Sequence, residues 1–126
     1  MTTILFVDDE VDLLHLTAKR LRFAGYKVLL AERGADFFQH LTEQIPSLIL
    51  LDIKLPDSSG IELFQKLREK KETAHIPVIF LSALHEHEEY CMKTLKADGF
   101  VKKPFEAKEL LHLLKRVLEI QKVSHQ

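Results

Sequence analysis

The sequence predicts an α/β domain built on a doubly wound parallel sheet of five strands flanked by five helices. Three observations predict it. Short apolar runs alternate along the chain with stretches of helical spacing, the pattern of a parallel sheet whose crossovers are helices. Three of those runs, at 4–7, 48–51 and 78–81, are continuous rather than alternating, as expected of strands buried on both faces. The length of 126 residues suits one domain with a core of its own and is short for two.

The elements follow in order. Ile4, Leu5, Phe6 and Val7 form a first strand that stops at Asp8, Asp9 and Glu10. Val11, Leu14, Ala18, Leu21 and Ala24 then recur at three and four residues, and Gly25 stands where a helix wants its left-handed terminating residue. A second strand spans 27–31 and a second helix 35–43. Pro46 precedes a third strand over 48–51, which stops at Asp52. A loop carrying Lys54, Pro56, Asp57 and Gly60 leads into a third helix marked by Ile61, Phe64 and Leu67. Pro77 opens the fourth strand, 78–81, which stops at Ser82. The next helix begins polar, with His85, Glu86, His87, Glu88 and Glu89. Residues 99–102 form a short fifth strand closed by Lys103 and Pro104, and Leu110, Leu113, Leu114, Val117 and Leu118 stripe a last helix.

Composition narrows the function. Eighteen basic residues against 19 acidic ones, a net charge of −1, give no bulk attraction for nucleic acid. Residues 93–126 carry 8 basic and 4 acidic groups, read as a solvated basic helix. No apolar run approaches a membrane span, and Met1, Thr2, Thr3 and Ile4 lack the pattern of a signal peptide. The single cysteine, Cys91, cannot pair within the chain and either fits a reducing compartment or is neutral on the point. The expectation is a cytoplasmic domain with no direct nucleic-acid or membrane partner.

In a doubly wound sheet, ligands sit outside the carboxyl ends of the strands. Here those ends carry Asp8 and Asp9, then Asp52, Ser82 and Lys103, all on one rim. Three gathered carboxylates repel unless cations neutralise them. The ammonium of Lys103 is one source of positive charge and a bound metal the other. Oxygen ligands with open water positions suit Mg²⁺. Carboxylate, Mg²⁺, ammonium and hydroxyl together make a phosphoryl site. Asp52, from the central strand, is the expected nucleophile, with Asp8 and Asp9 holding the metal and Ser82 contacting a phosphoryl oxygen.

In these residues the chain resembles the receiver domain of two-component response regulators, from about Thr3 to Gln121. The motifs are Val7-Asp8-Asp9-Glu10, Leu51-Asp52-Ile53-Lys54-Leu55-Pro56-Asp57, Leu81-Ser82-Ala83 and Lys103-Pro104-Phe105. The resemblance implies the flavodoxin-like strand order 2-1-3-4-5. It implies Asp52 as phosphoacceptor, supplied by a sensor histidine kinase or a histidine phosphotransfer protein. It implies Mg²⁺, with Mn²⁺ as a substitute, bound by Asp9, Asp52 and the backbone carbonyl of Lys54, with Asp8 assisting through water. Ser82 matches the switch hydroxyl, Phe100 the aromatic switch position, and Lys103 rather than Lys102 the site lysine. Phe100 has no hydroxyl to offer where the family often has Tyr. The bond before Pro104 is of the kind that can be cis at small cost, and in this family it often is. The altered face of helix 4, strand 5 and helix 5 would control an output domain or downstream protein, or form a homodimer.

On this reading, residues 1–122 are the receiver and 123–126 a tail. The domain catalyses only its own phosphorylation and dephosphorylation. The main alternative is a Mg²⁺-dependent phosphatase of haloacid-dehalogenase type, which wants a second acid two residues after its nucleophile, where Lys54 stands. A flavodoxin-like cofactor binder would need a phosphate-cradling loop in place of Asp8, Asp9 and Glu10. His85 and His87 read as an exposed polar first turn, with tuning of partner contact or pH response as their functional option. Ser82 could also serve as a plain helix N-cap.

Overall fold

In the computed structural model, residues 1–124 are described. Five parallel strands, β1 (Thr3–Val7), β2 (Lys27–Ala31), β3 (Leu48–Asp52), β4 (Val78–Ser82) and β5 (Gly99–Lys102), lie in the order β2-β1-β3-β4-β5. Between and after them run α1 (Val11–Phe23), α2 (Gly34–Glu43), α3 (Gly60–Glu69), α4 (Glu86–Glu89) and α5 (Ala107–Ser124). The expected architecture and strand order are both present. The order reverses between β1 and β3, and that switch point is where a ligand crevice opens.

The continuous apolar runs have a simple cause. Successive strand residues point to opposite faces, and here both faces are covered. Leu5, Val7, Ile49, Leu51, Val78 and Phe80 join Phe37 of α2 and Leu63, Phe64 and Leu67 of α3 in one core. Ile4, Phe6, Leu48, Leu50, Ile79 and Leu81 join Leu14, Ala18 and Leu21 of α1 and Leu110, Leu114 and Val117 of α5 in the other. Phe80 is fully buried and packs against Phe64 at 5.3 Å between ring centroids. Phe80→Ala is expected to cost about 3–5 kcal/mol. A urea midpoint shift equivalent to less than about 1 kcal/mol would contradict this packing.

Helix ends follow local chemistry. Gly25 has φ +103 and donates to the Arg22 carbonyl at 3.0 Å, closing α1 as its position suggested. Ser59 caps α3, its hydroxyl accepting from the Ile61 N–H. The fourth helix departs from a regular polar helix. After one α turn it widens into a π-helical turn over Tyr90–Thr94, which ends with Lys96 at φ +58. The widened turn leaves Cys91 fully buried between exposed Tyr90 and Met92. Burial pushes the Cys91 thiol up to about 11. The tail expected over 123–126 begins inside α5, which continues through Ser124; 125 and 126 lie outside the described residues. No helix is long and apolar enough to cross a membrane, among the described residues.

Candidate functional site

Sheet register brings the polar strand ends to one level. Val7 pairs with Leu51, Asp52 with Leu81, and Ser82 with Lys102. Asp8, one residue past β1, therefore stands beside Asp52, the last residue of β3. Lys103 follows β5 across a cis peptide to Pro104. Every residue expected at the rim is on it.

Lys103 is the centre of charge. Its Nζ donates to Glu10 Oε1 at 2.8 Å and to Asp52 Oδ2 at 3.2 Å, and it stands 2.8 Å from Asp8 Oδ2. Its side chain is only 9% exposed. Burial alone would lower its pKa, but the carboxylates of Asp8, Glu10 and Asp52 outweigh burial and hold it above its ordinary value. Lys102, its neighbour, is exposed.

Asp52 is buried at the same place and its pKa is pushed up from 3.8 to about 7. Burial is the main cause and the nearby charge of Asp8 the next; Lys103 pulls the other way without winning. Three carboxylates thus face one ammonium, and the pocket holds an excess of negative charge. This is the electrostatic state in which a divalent cation is favourable.

The residues present fit such an ion. Asp8, Asp9 and Asp52 each offer a carboxylate oxygen, all within 4.8 Å of one another. Asp8 Oδ1 accepts from the Glu10 N–H at 2.9 Å, while its buried Oδ2 has no hydrogen bond and only the charge of Lys103 for company. That ammonium is divided among three carboxylates, so a second cation would add to their neutralisation. Asp9 is exposed, so its carboxylate faces the solvent side of the cluster. The donor set is all oxygen, which suits a hard cation such as Mg²⁺.

The loop after β3 is fixed by its own bonds. Lys54 bridges Ser59, through Leu55 N–H to the Ser58 carbonyl (3.2 Å) and Gly60 N–H to the Ile53 carbonyl (2.7 Å). Neither bond engages the Lys54 carbonyl. Asp57 accepts from the Gly34 and Ala35 N–H groups at 2.8 and 3.1 Å, capping α2 from a distant part of the chain. Those backbone donors, Gly34 first, hold its carboxyl below the usual range.

Ser82 is buried and its hydroxyl accepts from the Leu84 N–H at 3.0 Å. It does not cap α4, whose first turn carries no side-chain cap. Its second partner is His87 Nδ1, at 2.9 Å. Phe100 pairs with Phe80 across the β4–β5 ladder and is half-buried against the core that contains Cys91. A cavity of about 510 Å³ opens over the site, lined by Asp9, Asp52, Lys54, Ser82, His87 and Lys103 among others.

Two participants escaped the sequence. Glu10 stood in the acidic motif after the first strand with no role of its own, yet its side chain reaches 93 positions along the chain to Lys103 and caps nothing. His87 read as a surface residue, yet it is half-buried and bonded to Ser82. Its placement five residues after the strand-end serine, on the face turned back toward the sheet, was the available signal. His85 is exposed, as expected. His125 lies outside the described residues.

Comparison with known proteins bears on this arrangement. Residues 4–115 match the family model described as the response regulator receiver domain. The chain is 40% identical over 117 residues to the phosphate regulon transcriptional regulatory protein PhoB of Pseudomonas aeruginosa, covering 92% of this chain and 51% of that one. It spans about half the length of the curated relatives it matches. A CheY-like receiver domain protein of Methanospirillum hungatei superposes with a TM-score of 0.89 at 28% identity, over 98% of each chain. The response regulator TrrA of Thermotoga maritima, solved in complex with Mg²⁺ and BeF, superposes at 0.81 with 32% identity, over 93% of this chain and 99% of that one. With five strands in the order 2-1-3-4-5 and a family match across most of its length, this chain belongs to the response regulator receiver domains of two-component signalling.

Proposed function

We propose that the domain accepts a phosphoryl group on Asp52 from a sensor histidine kinase or a histidine phosphotransfer protein. One observation carries this reading: Asp52, Asp8 and Asp9 are gathered in a single pocket, with the one ammonium of Lys103 shared among Asp8, Glu10 and Asp52. Residues 1–122 act as the receiver, in the cytoplasm. Asp9, Asp52 and the Lys54 carbonyl hold Mg²⁺, or Mn²⁺ in its place, with Asp8 acting through water. Bound there, the ion neutralises the carboxylates and the phosphoryl oxygens.

Each residue then has one task. An Asp52 carboxylate oxygen attacks phosphorus, and the bond from phosphorus to the donor nitrogen breaks. The electron pair leaves with that nitrogen, and the product is an acyl phosphate on Asp52. Lys103, already bonded to Asp52 Oδ2, places its fixed charge where phosphoryl oxygens gather. Ser82 turns its hydroxyl to one of those oxygens, and Phe100 packs inward behind it. The phosphoryl group binds this arrangement better, and the population shifts accordingly. The face of α4, β5 and α5 changes for an output domain, a downstream protein or a second copy. The name of PhoB, a transcriptional regulatory protein about twice as long as the matched segment, supports an output of that kind. The domain processes no outside metabolite. Lys54, standing where a haloacid-dehalogenase phosphatase needs its second acid, argues against that alternative.

The test is covalent. Incubation with acetyl phosphate and Mg²⁺ should add one phosphoryl group by intact mass, and EDTA or Asp52→Asn should remove the signal. Labelling undiminished in Asp52→Asn would refute the assignment.

A further inference from the structure

The hydrogen-bond partners of the Ser82 hydroxyl lie away from Asp52. Oγ accepts from the Leu84 N–H and stands 2.9 Å from His87 Nδ1, and both partners lie on the α4 side of the pocket. Asp52 meanwhile bonds Lys103. His87 is itself tied to the same turn, its N–H donating to the Leu84 carbonyl at 3.2 Å. A half-buried imidazole and a buried hydroxyl in contact gain more from each other than an exposed pair would. Ser82 is also the last residue of β4, so its backbone is fixed in the sheet and only its side chain is free to turn.

We propose that His87 is a positioning residue that holds the Ser82 hydroxyl on the α4 side of the pocket and releases it when Ser82 turns to a phosphoryl group on Asp52. The inference rests on the reading of Asp52 given above and adds a specific brake to it. Whichever ring tautomer is present, the contact is one that Ser82 gives up in order to turn. Breaking it frees the first turn of α4 from the strand end, so the same bond links the site to the α4 surface. A histidine that merely fills space would leave Ser82 indifferent to its removal.

The bond is tested first by the His87 ring ¹⁵N shifts in the metal-free protein. Ser82→Ala should move the Nδ1 resonance; an unchanged resonance overturns the contact. The role is tested with beryllofluoride and Mg²⁺ as the phosphoryl mimic. Removing one such restraint should tighten binding by about three- to tenfold in His87→Ala. Asn can place a hydrogen-bonding atom where Nδ1 stands, so His87→Asn should bind as the wild type does. In a Ser82→Ala background, His87→Ala should change nothing, because the coupling runs through the hydroxyl. Equal effects with and without Ser82, or no effect at all, overturn the proposal. If the wild type binds no beryllofluoride and takes no label from acetyl phosphate, the reading of Asp52 fails and the positioning role fails with it. The ring shifts still report the contact itself, so the two failures are told apart.

Discussion

Asp52→Asn is expected to stabilise the metal-free domain at pH 8 by up to about 4 kcal/mol. The magnitude follows from a carboxyl raised from 3.8 to about 7, at about 1.4 kcal/mol per unit. The sign follows from which form the fold prefers. Burial and the charge of Asp8 favour protonated Asp52, so the folded state holds a proton that the unfolded chain has already lost. The resulting stability is whole below pH 3.8 and lost as pH rises through 7. An asparagine has no proton to lose, and its stability is flat across that window apart from the titration of other groups. The gap between the two proteins should open between pH 4 and 7. Chemical denaturation at several pH values measures it, and parallel curves for the two proteins would refute it. Saturating Mg²⁺ should stabilise the wild type at pH 8 and shrink the gap, because the ion binds the folded cluster of Asp8, Asp9 and Asp52 and favours the ionised carboxylate. The acidic pocket thus lowers the stability of the metal-free domain above pH 7.

Gly60→Ala is expected to cost about 3 kcal/mol or more. A β-carbon at Gly60 would fall 2.2 Å from the Asp52 carbonyl oxygen and 2.9 Å from the Ile53 Cα, both backbone atoms of β3 and its exit. Neither can yield without shifting the strand end that presents Asp52. The loss should therefore appear twice, as a lowered denaturation midpoint and as slower labelling of Asp52 by acetyl phosphate. Gly25→Ala is the contrasting control. Nothing lies within 4 Å of a β-carbon there, and only its φ of +103 resists substitution, at about 1–2 kcal/mol. Equal and small effects at the two glycines would show that β3 and the α3 terminus do not meet as closely as they do here.

The two glycines show how far the sequence reaches. Gly25 was legible because a helix end is a local event, read from the spacing of Leu14, Ala18 and Leu21 before it. Gly60 was not, because its constraint comes from a strand eight residues back that folds against it. The same division runs through the site. Apolar runs ending in Asp8, Asp52 and Ser82 declare both the sheet and the rim, since strand period and burial act over a few residues. Parallel strands then oblige those ends to share one edge, and family resemblance selected Lys103 over Lys102.

What lies across the chain depended on the fold. Glu10 finds Lys103 and Asp57 caps α2 because the fold sets distant segments side by side, while His87 meets Ser82 because the loop after β4 turns the start of α4 back toward the strand end. The pKa of Asp52 belongs to this group, because desolvation and the field of Asp8 exist only once β1 and β3 are paired. Residue type and periodicity decided which groups stand at the strand ends; register and close approach decided which of them touch, and contact sets their charge.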